Sequence, residues 1–415
     1  KEGSFYTIKQ LWSPVQIMNT SVDKQFDGKF SVENRYDFLN LNTCRFLWKQ
    51  VKFPTATDAS NTTAQVLKQG EVQGSDVAAH SAGVLDIKTT ILPDADALFL
   101  TAIDRYGHEL WRWTFPVNKL NQANEVLSPL SNKVTSTETE NELTVKAKNH
   151  TFIFSKKDGQ LKGVSVNNRK ISFANGPRFI GARRADRSLD QFYNHDDEKA
   201  KEKDRTYSEF PDAAVFTKLD VKEDGGNLIV TANYKLGNLD KVQWTINPNG
   251  EAVLDYTYNF SGVVDLMGIC FDYPEDQVIS KRWLGAGPYR VWQNRIHGTQ
   301  YDVWENDYND PIPGETFTYP EFKGYFGSVS WMNIRTKEGT ISLTNETPDA
   351  YIGVYQPRDG RDRLLYTLPE SGISVLNVIP PVRNKVNSTD LCGPSSQPKW
   401  VNGPQSGRII FRFME

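Results

Sequence analysis

The chain has 415 residues, of which 38% are hydrophobic, 24% charged and 12% aromatic, with a formal net charge of -3 and a pI near 6.1. That length exceeds one ordinary core and predicts two or three domains, while the composition excludes a disordered polymer. Nothing in the charge balance points to nucleic acid or an anionic membrane as a partner, and no apolar run is long enough to span a bilayer.

In chain order, residues 4–17 read as a run-in that Ser13-Pro14 breaks, and Val15-Gln16-Ile17 can begin a strand. Residues 1–4 carry no signal pattern and no starting Met, so the expectation is a processed protein or an excised fragment, with a periplasmic or extracellular setting. From Lys29 the pattern has period two, with Phe30, Val32, Asn34, Tyr36 and Phe38 on one parity, which predicts a half-buried strand. Cys44, Phe46 and Trp48 repeat the alternation, as do residues 84–91, 97–104 and 109–117. Asp104 to His108 reads as a hairpin loop, and residues 55–82 as loops around one strand. Short strands with turn signals over about a hundred residues predict an immunoglobulin-like β-sandwich across residues 1–118.

Residues 119–137, rich in Asn, Ser, Thr and Glu and containing Pro129, read as a linker. Strand patterns then continue to the C-terminus. Lys157-Asp158-Gly159-Gln160 is a hairpin turn signal, and Asp224 to Asn227 and Asn247 to Gly250 are tight turns between the strongly alternating strands of residues 215–260. Residues 190–212 read as a charged surface loop with a short helical turn. Almost no apolar stripe of helical period appears, so the chain is expected to be all-β, with residues 138–415 forming a large antiparallel double sheet.

The densest stretch is residues 283–295 with Trp304 and Tyr308 beyond it. It combines large aromatics, flanking arginines and a Gly-x-Gly-Pro turn. Aromatic faces beside fixed donors and acceptors suit a sugar ring, and they equally suit the core of a large sandwich. Asp302, Glu305, Asp307 and Asp310 follow, as sugar-hydroxyl acceptors or as a solvated loop; their spacing fits no calcium loop. Arg178, Arg183, Arg184 and Arg187 form a second group, either paired with carboxylates or reaching into a cleft. Asn-Glu dipeptides, Asn345-Glu346 among them, lack the following helix of a barrel βα unit. No serine-nucleophile elbow, phosphate loop or dinucleotide fingerprint is present. Cys44, Cys270 and Cys392 are too separated for a disulfide framework, and His80, His108, His150, His195 and His297 are scattered, so neither a metal nor another cofactor is expected.

Trp283-Leu284-Gly285-Ala286-Gly287-Pro288-Tyr289-Arg290-Val291-Trp292-Gln293-Asn294-Arg295 resembles the Trp-x-Gly-x-Gly-Pro-x-Glu-x-Tyr-x-Asp-Arg segment of family 2 glycoside hydrolases of the β-galactosidase type. Arg290, Trp292 and Asn294 replace the Glu, Tyr and Asp. Phe154 to Leu161 is similar to that family's Phe-x-x-x-x-Gly-x-Leu hairpin, and residues 175–179 to the segment before its Arg-Ala-Pro-x-Asp-Asn-Asp motif, here Arg184 to Asp190. The resemblance implies an immunoglobulin-like sandwich followed by the small-chain supersandwich, a galactose-mutarotase-like fold. It also implies that the catalytic barrel with its two glutamates is a missing partner, with carbohydrate as the ligand. Gly285, Gly287 and Pro288 become turn formers, and Trp283 and Arg295 structural anchors. Tyr289, Trp292 and Trp304 remain as ligand contacts, with Cys392 standing where some members send a Trp into the sugar site. The alternatives are a free-standing carbohydrate-binding module and an aldose mutarotase using His195 or His297.

Overall fold

The computed structural model describes residues 3–58, 63–117, 133–184, 207–307, 324–354, 371–381 and 393–415. Among these residues are 26 strands and one α-helix. The chain divides into two compact units. The first comprises Lys1–Asn124, Leu284–Tyr289 and His297–Trp304; the second comprises Glu125–Trp283, Arg290–Ile296 and Glu305–Glu415. The sequence boundary at 119–137 assigned everything beyond 138 to one body. Two later segments instead pack into the first unit, because the contacts that place them lie far away along the chain.

The first unit opens on helix α1 (Gly3–Leu11), where the sequence suggested only a run-in. It stops where Pro14 restricts Ser13 to extended backbone. Its strands are β1 (Val15–Ile17), β2 (Lys29–Asn34), β3 (Arg45–Lys52), β4 (Gln65–Gln73), β5 (Ser81–Asp86), β6 (Ala97–Ile103) and β7 (Glu109–Pro116). They form two antiparallel sheets, β1-β2-β5 and β4-β3-β6-β7. The alternating residues meet in one core: Phe30, Val32 and Leu85 from the first sheet, Phe46, Trp48, Leu100 and Phe115 from the second. Buried Gln50 is satisfied, donating to the Thr90 carbonyl at 2.8 Å and accepting from Leu92 N at 2.7 Å. The Asp104 to His108 loop closes as expected, with Asp104 Oδ1 accepting from both Tyr106 N and His108 N at 2.8 Å. Phe38 is 94% exposed, against the sequence expectation: β2 ends at Asn34, and the parity that would have buried Phe38 ends with it.

The second unit carries β8 (Thr135–Glu138), β9 (Glu142–Ala147), β10 (His150–Ser155), β11 (Leu161–Val166), β12 (Arg169–Ile171), β13 (Ala174–Arg184), β14 (Tyr207–Glu209), β15 (Val215–Asp224), β16 (Asn227–Lys235), β17 (Leu239–Ile246), β18 (Ala252–Val264) and β19 (Leu266–Asp272). Further along the chain come β20 (Val278–Gly287) and β21 (Gln300–Asp307), whose residues 284–287 and 300–304 belong to the first unit, and then, in the second unit, β22 (Trp331–Thr336), β23 (Gly339–Asn345), β24 (Tyr351–Val354), β25 (Ile373–Val378) and β26 (Lys399–Met414). One sheet runs β24-β25-β19-β13-β11-β10-β9-β8, with β12 on β11 and β14 on β13; the other runs β15-β16-β17-β18-β26-β23-β22-β20. β18 and β26 pair from Ala252↔Phe411 to Val264↔Lys399.

The two sheets share an aromatic core. Phe154 and Phe271 of the first sheet meet Trp244 of the second at 6.2 and 6.1 Å, and Phe173 meets Phe411 at 5.1 Å. Burying rings of this size is the main stabilising term of such a sandwich, and tilted or edge-on contacts add about 0.5–1.5 kcal/mol per pair. The Lys157 to Gln160 turn is a true hairpin, with Gly159 at φ +73° where a side chain would be strained. The expected loop of 190–212 lies largely outside the described residues; of its described part, β14 takes Tyr207–Glu209 and residues 210–212 are irregular.

Candidate functional site

β20 delivers the segment the sequence singled out. Trp283 is wholly buried and packs edge-on against Phe326 at 4.8 Å, so it is a core residue of the second unit. Gly285 and Gly287 were expected to make a turn. Instead both lie within β20, and the turn comes after them. The reason for Gly287 is the Trp304 indole, which lies against it so closely that any Cβ would collide with the ring.

Within the first unit, Tyr289 is 5% exposed, and its ring rests on Tyr6 of α1 at 5.5 Å. Its hydroxyl reaches the His297 carbonyl only at 3.5 Å. Burial, reinforced by Tyr6, pushes its phenol well above the ordinary tyrosine value. Helix α1 holds the same region by two further bonds. Thr7 Oγ1 donates to the His297 carbonyl at 2.8 Å, and Gly298 N donates to Gln10 Oε1 at 2.6 Å. Trp304 Nε1 donates to the carbonyls of Gly285 at 3.2 Å and Gln300 at 3.1 Å. Asp302 pairs with Arg112 at 3.0 Å; burial raises its carboxyl, with Arg112 pulling the other way. These groups bind one another and tie α1 to the segments around Tyr289 and Trp304.

Within the second unit, residues 290–296 form a compact turn. Arg290 is 5% exposed, with its guanidinium over the Phe326 ring at 5.4 Å. Val291 exchanges two backbone bonds with Tyr325, at 2.7 and 2.9 Å. Trp292 is 4% exposed and meets the Tyr325 ring edge-on at 5.6 Å. The next two side chains act as a latch. Gln293 Nε2 donates to the carbonyls of Ser395 at 2.9 Å and Gln397 at 2.8 Å, while its backbone N bonds the Pro380 carbonyl at 3.1 Å. Asn294 Nδ2 donates to Ser396 Oγ at 3.0 Å. Cys392 and Tyr308 lie outside the described residues, as do Asp310 and His195. The latch therefore joins Trp292 to the described flank of the chain stretch that holds Cys392. Sequence reasoning missed Gln293 and Asn294, since no local signal marks them and their partners lie a hundred positions on.

The remaining sequence candidates are dispersed. Glu346 pairs with Arg408 at 3.1 Å, and Arg408 also pairs with Asp255 at 3.1 Å, so Glu346 serves a surface ion network. Arg178 bonds Asp272 at 2.7 Å and also lines a cleft; of the other arginines in its group, Arg187 lies outside the described residues. Among the described residues no group of three His, Cys, Asp or Glu side chains has the placement to hold a metal ion.

Two antiparallel double-sheet units, with large aromatics inside and a latched turn after β20, define an all-β sandwich protein. The chain belongs to the beta galactosidase small chain family, whose sequence pattern matches residues 146–378. No curated protein sequence matches it. The chain is similar to galactose 1-epimerase from Lactobacillus acidophilus NCFM, with TM-score 0.36 and 9% identity over 69% of this chain and 99% of that one. It is also similar to a putative mutarotase from Salmonella typhimurium, with TM-score 0.32 and 10% identity over 71% of this chain and 97% of that one. A third similar structure is an aldose epimerase homologue from C. elegans, with TM-score 0.32 and 8% identity over 68% and 99%.

Proposed function

We propose that this chain is the non-catalytic C-terminal portion of a family 2-like glycoside hydrolase of the β-galactosidase type, supporting a catalytic barrel and the rim of its sugar site. In that reading the first unit, with its three- and four-stranded sheets, is the immunoglobulin-like domain that accompanies the small-chain unit. The observation that carries the reading is helix α1. Tyr6, Thr7, Lys9 and Gln10 are committed to the helix's own unit. Phe5, Ile8, Leu11 and Trp12 are 41, 48, 50 and 80% exposed. Spaced at i, i+3, i+6 and i+7, they make one apolar stripe, and such a stripe on water marks a surface covered by further protein. Family membership supports a barrel as that cover. The Gln293–Asn294 latch supports the second role, since it steadies a chain stretch next to the rim position assigned to Cys392.

The chain by itself should not hydrolyse nitrophenyl β-galactosides above the rate in buffer; enzyme-like turnover by this chain alone would end the proposal. The stripe is tested separately by the triple variant Phe5→Ser, Ile8→Ser, Trp12→Ser. It should lose binding of an apolar fluorescent dye while keeping the parent Tm. A fall of several degrees would place these side chains in the chain's own core and remove the support for a covering domain.

A further inference from the structure

We infer that the second unit carries a separate, non-catalytic binding site for a neutral saccharide, in the cleft between the Lys157 to Gln160 turn and strands β13 to β17. The cleft measures about 470 Å3, within the range of roughly 300–1,000 Å3 of small-molecule sites. It requires no barrel and none of its lining comes from the segment around Trp292, but Ile180 and Cys270 share the buried cluster of Trp292, so Leu239 is the lining methyl that reports on the cleft alone.

Its walls are aromatic and are held in place from behind. Phe210 packs on Phe260 at 5.2 Å, and Phe216 meets the Tyr234 ring at 5.9 Å. Tyr234 is pinned because its hydroxyl donates to the Asp158 carbonyl at 2.9 Å. Flat apolar faces fixed in this way receive the C–H face of a pyranose without first having to be ordered.

The charges around the cleft decide the ligand class. Most are already engaged within the protein. Asp158 is paired with Lys162 at 2.8 Å and Arg178 with Asp272 at 2.7 Å. Asp212 Oδ1 accepts from the backbone N–H groups of Ala214 at 3.1 Å and Asn238 at 3.0 Å. At the exposed rim stand Lys157 and Glu209, one of each sign, with the Gln160 amide beside the turn. A ligand carrying one fixed charge would face a like charge at the rim whichever its sign. A polyol, which both donates and accepts, matches a rim with donors and acceptors in equal measure.

The test follows methyl NMR signals of the whole chain. Ile180 and Leu239 line the cleft, while Ile334 lies buried in β22 and serves as the control. Titration with galactose and with lactose should move the Ile180 and Leu239 methyl signals saturably and leave Ile334 in place. The double variant Lys157→Ala, Glu209→Gln should weaken that binding about tenfold, as expected for losing hydrogen bonds from charged groups, without changing Tm. The inference is overturned if neither sugar moves these methyls, if the double variant binds as tightly as the parent, or if glucose 6-phosphate or glucuronate binds more tightly than galactose. Binding that is lost in Trp292→Phe but kept in the double variant would place the sugar at the other segment and also overturn it.

Discussion

The Gln293 side chain holds Ser395 across 102 positions of the chain, donating to its carbonyl at 2.9 Å and to that of Gln397 at 2.8 Å. One amide therefore satisfies two carbonyls of the stretch that follows Cys392. Replacing it with Ala removes both bonds. Gln293→Ala should cost about 1–2 kcal/mol in denaturant unfolding and speed amide exchange around residues 393–397. Gln293→Glu should be worse, because a carboxylate oxygen would face the carbonyl oxygens. Unchanged exchange in both variants would show that the stretch is held by something else.

Gly287 touches the Trp304 indole with no room for a Cβ. Gly287→Ala should lower stability by about 1–3 kcal/mol, the usual cost of overpacking. Adding Trp304→Ala should recover part of that loss, so the two changes should be measurably non-additive in thermal unfolding.

Trp292 and Tyr289 separate a packing role from a binding role. Trp292 is 4% exposed against Tyr325, so Trp292→Ala should cost about 3–5 kcal/mol. Tyr289→Phe removes only a 3.5 Å contact to the His297 carbonyl and should change stability by less than about 1 kcal/mol. Should Trp292→Ala leave stability intact while abolishing saccharide binding, the ring is a ligand platform and not a core residue.

Asp272 sets part of the acid response. Burial opposes its ionisation, but hydrogen bonds from Arg178 and Asn175, with the Arg178 charge, outweigh burial and hold the carboxyl below its ordinary value. The folded state then binds fewer protons than the unfolded chain. The stabilisation is present above about pH 4 and is lost as pH falls through the depressed value. Asp272→Asn should therefore be less stable than the parent at pH 7, and the gap should close in acid. Because the pair is partly exposed, the effect at pH 7 should be no more than about 1 kcal/mol. A gap that persists undiminished at pH 2 would assign the effect to packing.

Much of the strand pattern was legible beforehand because it is local. Phe30, Val32, Phe46 and Trp48 alternate with polar neighbours, and a pleated strand turns that alternation directly into one buried face. The hairpins at Asp104 to His108 and Lys157 to Gln160 were legible for the same reason, since their turn chemistry is written within four or five residues. Phe38 was misplaced because alternation does not announce where a strand stops. Helix α1 was missed because Phe5, Ile8 and Leu11 face outward, while Tyr6 and the polar groups of Thr7 and Gln10 make its contacts.

By itself, then, the sequence determined an all-β chain, its principal hairpins and its kinship with the small-chain family through residues 283–295. Only the tertiary structure decided what those residues do. It showed that Gly287 yields to an indole and not to a turn, that Tyr289 rests on Tyr6, and that Gln293 and Asn294 latch a stretch a hundred positions away. Strand and turn signals depend on neighbours along the chain. A side chain's burial and bonding partners depend on which distant segments fold against it, and no local pattern encodes them.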